Sequence, residues 1–506
     1  MRKAKLFVIN VTILTATAIL MQSIGIIFSV YISNKIGAEG VGIFQLIMSV
    51  YTFAITLASS GINLAVTRIA SEEKAKKNEN GAQKAVKECI ILSLLLGVFS
   101  CILLLLLSNI ITEKCFHNKI TNMPLKIIAF SLPFISMSAA INGYFSAERK
   151  VYKTASSQIF EQVLRILISC LLINSFLPSG IEYACISLVS GTCISECLSF
   201  IYIYIFYING KRKLKKSNFL LKSNTNKTTY LKEIFSICIP IAITSYIRSG
   251  LSTLKQLIIP LRLEKSGLSC ENALAKYGLI GGMVMPILLF PSVFINSFSM
   301  LLIPEFSSIF VTKNYNRVKT LSTKIFKVTM LFSACVFGIF LNFYKELGLY
   351  IYKSEIVGKY LLMLSPLVMI IYIDTVVDGM LKGINEQVAV MKINIIDLFT
   401  SITFIYFLLP LYSINGYIAV IYISEILNGV LSIIRLKKIT NIKLDLINFI
   451  IKPVAICFLS RYVINFFNLS LGNNILTLIV EILLYILLYI VLLFMFKCLK
   501  KEDLRI

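Results

Sequence analysis

Charged residues are scarce in this 506-residue chain. They make up 15% of it, against about 25% in a soluble domain. Hydrophobic residues reach 57% and mean hydropathy is +0.83. That balance excludes a water-soluble protein and an intrinsically disordered one. Acidic residues are scarcer still, 25 against 50 Lys and Arg. Histidine is almost missing: His117 is the single one, and it falls in an expected outer loop, so a His-based metal site or catalytic triad is excluded. No GxxxxGK[ST], HExxH or GxSxG segment occurs, so no enzyme signature is present. No cysteine pair has CxxC spacing, and most of the twelve lie in apolar runs. They read as small buried hydrophobes rather than redox or zinc ligands. Cys115 and Cys270, both in expected outer loops, are the one candidate pair.

What the chain has in quantity is long apolar runs. Fourteen lie at about 8–33, 41–66, 88–112, 124–147, 155–177, 181–208, 233–259, 273–303, 325–345, 358–381, 388–412, 415–434, 445–467 and 474–497. A membrane-spanning helix takes about 20 residues, so fourteen use roughly 290, about the apolar share of the chain. The remainder makes short loops and leaves no room for a large catalytic domain. The N-terminus, Met1-Arg-Lys-Ala-Lys before an apolar stretch to about Ile32, resembles a signal peptide. The stretch is too long for a signal h-region of about 7–15 residues, so it reads as a retained first span.

The cations set the orientation. In a soluble protein a net charge of +25 would suggest nucleic acid; here the cations flank apolar runs and no nucleic-acid partner is expected. The even-numbered connections carry Arg68 to Lys87, Arg149 to Lys153, Lys211 to Lys232, Lys313 to Lys327, Lys382 to Lys392 and Arg435 to Lys443. With the termini they hold about 35 cations, against about nine in the odd-numbered ones. The bias places both termini in the cytoplasm. The basic stretch at about 209–232 divides the chain into lobes of residues 1–210 and 233–434, with 211–232 as a cytoplasmic linker and 435–506 holding two extra spans and a tail. Its charge sets topology, with contact to anionic headgroups as the sharper alternative. The 71–87 connection, of mixed charge, reads as a surface helix.

Polar residues inside spans carry the functional information, because a charge at the bilayer centre costs at least ~2.5–3.5 kcal/mol. In the seventh span Arg248, Ser252 and Lys255 follow i, i+4, i+7 and share one helix face. With no acid beside them they form an anion-attracting stripe, and a guanidinium suits bidentate phosphate contact. Snorkelling, or pairing with acids elsewhere, is the plainer alternative. In the fifth span Glu161 and Arg165 stand i, i+4 and can neutralise each other. The second span ends in Ser59-Ser60-Gly61, Asn63 and Arg68, and small residues there permit close packing or a kink. The first span offers Asn10 and Gln22. Later spans hold Asp374, Asp378, Asp397 and Glu425, candidates for binding a coupling Na⁺ or H⁺, with pairing to Lys452 or Arg461 as the alternative.

Several segments resemble one family. IGAEGVGIFQL at 36–46 resembles the LGxEGxGxxxL segment of polysaccharide flippases, and GINLAVTR at 61–68 is similar to their second-span ending. GYFSAERKVYKTASSQIFEQVLR at 143–165 resembles the GYFxGxxxxxPTAxSQxxEQxxR stretch of the stage V sporulation protein B family. IPLRLEKSG at 259–267, the 275–305 segment and LKGIN at 381–385 resemble it too, in order. Ser146 stands where the family usually has Gly, and Lys153 where it has Pro. The first span lacks the arginines of the lipid II flippase MurJ, so a first-span cation site does not carry over.

The resemblance implies the multidrug/oligosaccharidyl-lipid/polysaccharide exporter superfamily: an all-α multipass protein with about fourteen spans, two six-helix lobes in a V around a cavity lined by spans 1, 2, 7 and 8, and two extra C-terminal helices that form a lipid groove in MurJ-like proteins. The expected activity is alternating-access flipping of an undecaprenyl-pyrophosphate saccharide, such as lipid II for peptidoglycan or spore cortex, across a bacterial plasma membrane. Arg248 and Lys255 would bind the pyrophosphate. Asn63, Ser252 and Gln22 would contact sugar or peptide, with Arg68 and Arg165 as further candidates. No cofactor is expected; a coupling ion or the membrane potential would drive the cycle. Expected partners are the lipid-linked substrate, membrane lipids and cell-wall synthesis enzymes. A drug/cation antiporter, a non-transporting wall-synthesis scaffold and a membrane glycosyltransferase are the rival readings. The last is disfavoured by the short outer loops.

Overall fold

A computed structural model of the chain describes residues 2–76, 78–113, 121–217, 229–442, 445, 447–466 and 475–499. Within them every regular element is helical. Hydrocarbon offers the backbone no hydrogen bonds, and a helix satisfies its own. The helices are α1 (Arg2–Ser59), α2 (Ile62–Ala75), α3 (Glu79–Ile111), α4 (Asn122–Ala129), α5 (Leu132–Ala147), α6 (Val151–Phe176), α7 (Ile181–Ser217), α8 (Leu231–Glu264), α9 (Cys270–Gly278), α10 (Met285–Leu289), α11 (Ser292–Val311), α12 (Tyr315–Tyr352), α13 (Glu355–Leu364), α14 (Leu367–Gly383), α15 (Gln387–Thr440), α16 (Lys452–Phe466) and α17 (Ile475–Met495). The expected Cys115 pairing and the His117 loop lie outside the described residues.

Ten helices are long and apolar enough to cross a membrane, or up to twelve if the bent pairs α4/α5 (40°) and α13/α14 (56°) each count as one span. Two of the ten are too long for a single crossing. The 58 residues of α1 and 54 of α15 would each reach roughly 80 Å or more, against a hydrocarbon core of about 30 Å. Each has one break. In α1 it is Gly37, at φ 70 and ψ −179, a conformation glycine reaches without steric cost. In α15 it is Ser413, at φ 51 and ψ −128, three residues past Pro410. The breaks fall between the expected first and second spans and between the eleventh and twelfth, and the helices are consistent with fourteen spans.

Two expectations change in detail. The 273–303 span is divided: α9 runs through a π-helical turn, Leu279–Val284, into α10, and the chain breaks at Phe290–Pro291 before α11. Pro286 and Pro291 each remove a backbone donor there. The 71–87 connection is shorter than a separate surface helix. α2 runs on through Ala75, and α3 starts at Glu79, capped by Asn78, whose side chain accepts from the Gly81 amide at 2.9 Å.

The chain forms two compact units, Met1–Phe28 with Ile36–Gly278, and Ser29–Lys35 with Leu279–Ile506. Their boundary at Gly278 lies beyond the 209–232 stretch, so α8 packs within the first unit. The first unit's core gathers Ile62, Val66, Ile69, Tyr144, Phe145, Ile203, Tyr207 and Ile234, with Tyr144 edge-on to Tyr207 at 5.3 Å. In the second unit α16 and α17 pack on α12. The Tyr489 hydroxyl donates to the Leu331 carbonyl at 3.1 Å, and Phe343, Leu478 and Tyr485 form a neighbouring cluster.

Candidate functional site

The three seventh-span residues share the face of α8 turned away from α1. That helix packs on the second half of α1 through Tyr246, Ser249, Gly250 and Thr253. The Tyr246 hydroxyl donates to the Leu57 carbonyl at 3.2 Å, Thr56 to Ser249 at 3.1 Å, and Thr253 to the Ser49 carbonyl at 3.1 Å. At 3.6 residues per turn, Arg248, Ser252 and Lys255 centre about 140° away from that seam. Arg248 is exposed and Ser252 and Lys255 are half-buried. Arg248 makes no ion pair among the described residues, and α8 has no acid between Glu233 and Glu264.

Asn63 and Arg68 lie on α2, which crosses α8 at Gly61. A Cβ at Gly61 would stand 2.9 Å from the Cys238 Cα, and its φ is 80. That contact is the reason for a glycine at 61. Asn63 is exposed. Arg68 is exposed too, but Nε reaches Glu72 Oε1 at 2.9 Å. Arg68, Glu72, Glu233 and Ser236 line a cavity of about 430 Å³ between α2 and α8. Gln22 is exposed on the first half of α1.

Arg165 is committed elsewhere. It bridges Glu161 on its own helix at 2.5 Å and Glu196 on α7 at 3.3 Å, all three side chains mostly buried. Glu196 escaped the sequence reading, although a lone acid inside an apolar span was the signal that could have found it.

The carboxylates of the later spans lie near one another in the second unit, with Asp378, Glu425 and Asp397 all within electrostatic reach of Asp374. Asp374 accepts from the Asn428 amide at 2.9 Å, while its other oxygen, Oδ1, is buried with no hydrogen bond among the described residues. Asp378 lies 3.5 Å from Lys382. Asp397 accepts from Ser424 at 2.6 Å, which in turn accepts from Ser401 at 2.9 Å. Among the described residues no three His, Cys, Asp or Glu side chains converge as metal ligands do.

The GYFSAER segment has a structural task. Gly143 brings α5 against α2, where a Cβ would lie 2.6 Å from the Asn63 carbonyl, and Thr67 donates to the Gly143 carbonyl at 3.1 Å. Glu148 at the end of α5 accepts from Lys74, from Lys150 at 2.5 Å and from Tyr144 at 2.8 Å. Burial pushes its carboxyl up, but the bonds from Lys150, Lys74 and Tyr144 outweigh burial and hold it at about 2. Glu73 nearby is lowered in the same way: Lys76, Tyr230 and Asn78 overcome its burial. Lys153, at the family's usual Pro position, lies over the Phe145 and Phe206 rings at 4.7 and 5.4 Å.

Comparison with known proteins agrees with this fold. The chain is 24% identical to Stage V sporulation protein B of Bacillus subtilis (strain 168) over 508 residues, 99% of this chain and 97% of that protein. It is 23% identical to Lipid II flippase MurJ of the same organism, over 84% of this chain and 81% of MurJ. Among solved structures, MurJ in an inward closed conformation superposes with a TM-score of 0.71 at 14% identity, covering 95% of this chain and 97% of MurJ. An inward-facing MATE family transporter of the MOP superfamily gives 0.66 at 14% identity, over 83% of this chain and 96% of the transporter. These likenesses show the fold, that of an all-α multipass membrane protein. Residues 7–310 match the family described as Polysaccharide biosynthesis protein, and the chain is a member of that family.

Proposed function

We propose that this protein is a flippase that moves an undecaprenyl-pyrophosphate saccharide, lipid II or a close relative, from the inner to the outer leaflet by alternating access. The observation that carries the proposal is the face of α8 turned away from α1, where Arg248 and Lys255 flank Ser252 on a helix with no acid between Glu233 and Glu264. A polar headgroup cannot enter hydrocarbon without replacement of its hydration. Arg248 and Lys255 supply that replacement at the pyrophosphate, through charge-assisted hydrogen bonds. The polyprenyl tail stays in lipid, and no covalent step is needed. Ser252, Asn63 and Gln22 serve the sugar or peptide.

Arg68 is a weaker contact because Glu72 already takes its Nε, and Arg165 acts within the fold by pairing with Glu161 and Glu196. Coupling to Na⁺ or H⁺ falls to Asp374, with its unbonded buried oxygen, ahead of Asp378, Asp397 and Glu425; membrane potential is the alternative drive. A drug/cation antiporter would place acids rather than cations on such a face. Names of relatives support a wall-precursor cargo, and use in spore cortex with wall-synthesis enzymes as partners belongs to the same proposal. Both termini are placed in the cytoplasm by the cation bias.

The test is binding of undecaprenyl pyrophosphate to the purified protein. Arg248→Ala/Lys255→Ala should weaken it at least tenfold while the protein stays folded by thermal unfolding. Unchanged affinity in the folded double variant removes the site.

A further inference from the structure

The two halves of α15 hold a cavity that the flipping mechanism does not use. The break at Ser413 lets them pair: Ser401 donates to Ser424 at 2.9 Å, and Arg435 reaches Glu386 through Nη2 at 2.7 Å and Nε at 3.1 Å. Near the paired ends lies a cavity of about 490 Å³. Its polar lining is Glu386, Lys392, Arg435 and Lys438. Glu386 is matched by Arg435, so Lys392 and Lys438 leave two positive charges uncompensated; neither has an ion-pair partner among the described residues. The remaining lining is apolar, with Ile396 49% and Ile434 56% exposed.

We propose that this cavity binds an anionic phospholipid of the bilayer, its phosphate held by Lys392 and Lys438 and its acyl chains lying along Ile396 and Ile434. The chemistry is complementary at both ends. A lysine stem lies along apolar surface while its ammonium reaches toward the headgroup layer, and basic pockets between spanning helices suit anionic headgroups. The cation bias places these helix ends on the cytoplasmic side. Bulk lipid is favoured over the lipid-linked cargo by mass action, because phospholipid is far the more abundant species in a bilayer. The Glu386–Arg435 pair fixes one wall, so the ligand has only to order the two lysines.

The experiment is native mass spectrometry of the full chain, delipidated stepwise from nanodiscs of phosphatidylglycerol with phosphatidylcholine. The parent should retain one phosphatidylglycerol after phosphatidylcholine is gone. Lys392→Gln/Lys438→Gln should lose that retention at least tenfold, and Lys392→Arg/Lys438→Arg should keep it. Equal retention by parent and Gln variant overturns the proposal, as does retention of both lipids alike, which would mean annular lipid only. Displacement by undecaprenyl pyrophosphate at equal concentration would assign the cavity to cargo and also overturn it. If the double variant does not fold, each single Gln variant should lose retention at least threefold, and no loss in either overturns the proposal. Arg248→Ala/Lys255→Ala should leave phosphatidylglycerol retention unchanged, so failure here and failure of the flippase proposal read out separately.

Discussion

The Tyr246 hydroxyl donates to the Leu57 carbonyl at 3.2 Å. This bond fixes the rotation of α8 on α1, and the rotation decides which residues face away from α1. With Tyr246, Ser249 and Thr253 spent on the seam, Arg248, Ser252 and Lys255 turn away from it together.

Close backbone approach within the first unit sets the first prediction. A Cβ on Gly42 would lie 2.2 Å from the Leu274 carbonyl oxygen, and one on Gly278 would lie 2.1 Å from that of Ala38. Gly42→Ala should therefore destabilise by about 1–3 kcal/mol, read as a lower unfolding temperature in detergent. Gly210→Ala, with nothing within 4 Å, should not lower it. A neutral Gly42→Ala would contradict the packing.

Acid sensitivity follows from Glu148. Its carboxyl is held at about 2, below the ordinary 4.5. A depressed folded value gives stability that is complete above the unfolded value and is lost as pH falls from about 4.5 toward about 2. Glu148→Gln should flatten that limb of a pH series of unfolding temperatures. At neutral pH it should cost on the order of 2 kcal/mol by leaving Lys74, Lys150 and Tyr144 with one neutral amide oxygen in place of the carboxylate they share. Identical acid limbs in parent and variant would refute the assignment.

Arg165→Ala separates structure from substrate contact. It leaves Glu161 and Glu196 facing each other without their cation, which should cost about 3 kcal/mol. Binding of undecaprenyl pyrophosphate per folded molecule should be unchanged. Lost binding with intact stability would make Arg165 a substrate residue.

Much of this was legible from spacing. The i, i+4, i+7 relation of Arg248, Ser252 and Lys255 needs only helix geometry, and the Gly37 break is signalled by the glycines of IGAEGVG. The Glu161–Arg165 pair was legible because both residues lie on one helix. Glu196, its third member, was not, since only packing of α6 on α7 brings it near. The same holds for Asn428 beside Asp374 and for Gly42 against Leu274, contacts made across long stretches of chain. The division of the 273–303 run was written in Pro286 and Pro291 but outweighed by hydropathy, which averages over single breaks.

Coupling is tested at Asp374. In proteoliposomes, Asp374→Asn should reduce the response of transport to an imposed Na⁺ or proton gradient at least tenfold. A full response in the variant would exclude this carboxylate as the coupling group and pass that role to Asp378, Asp397 or Glu425.

The most direct measurement counts outward-facing lipid II in cells depleted of their own flippase and expressing this chain. The parent should restore exposure, and Arg248→Ala/Lys255→Ala at equal folded expression should not. A folded, well-expressed parent that restores no exposure would contradict the lipid II flippase account.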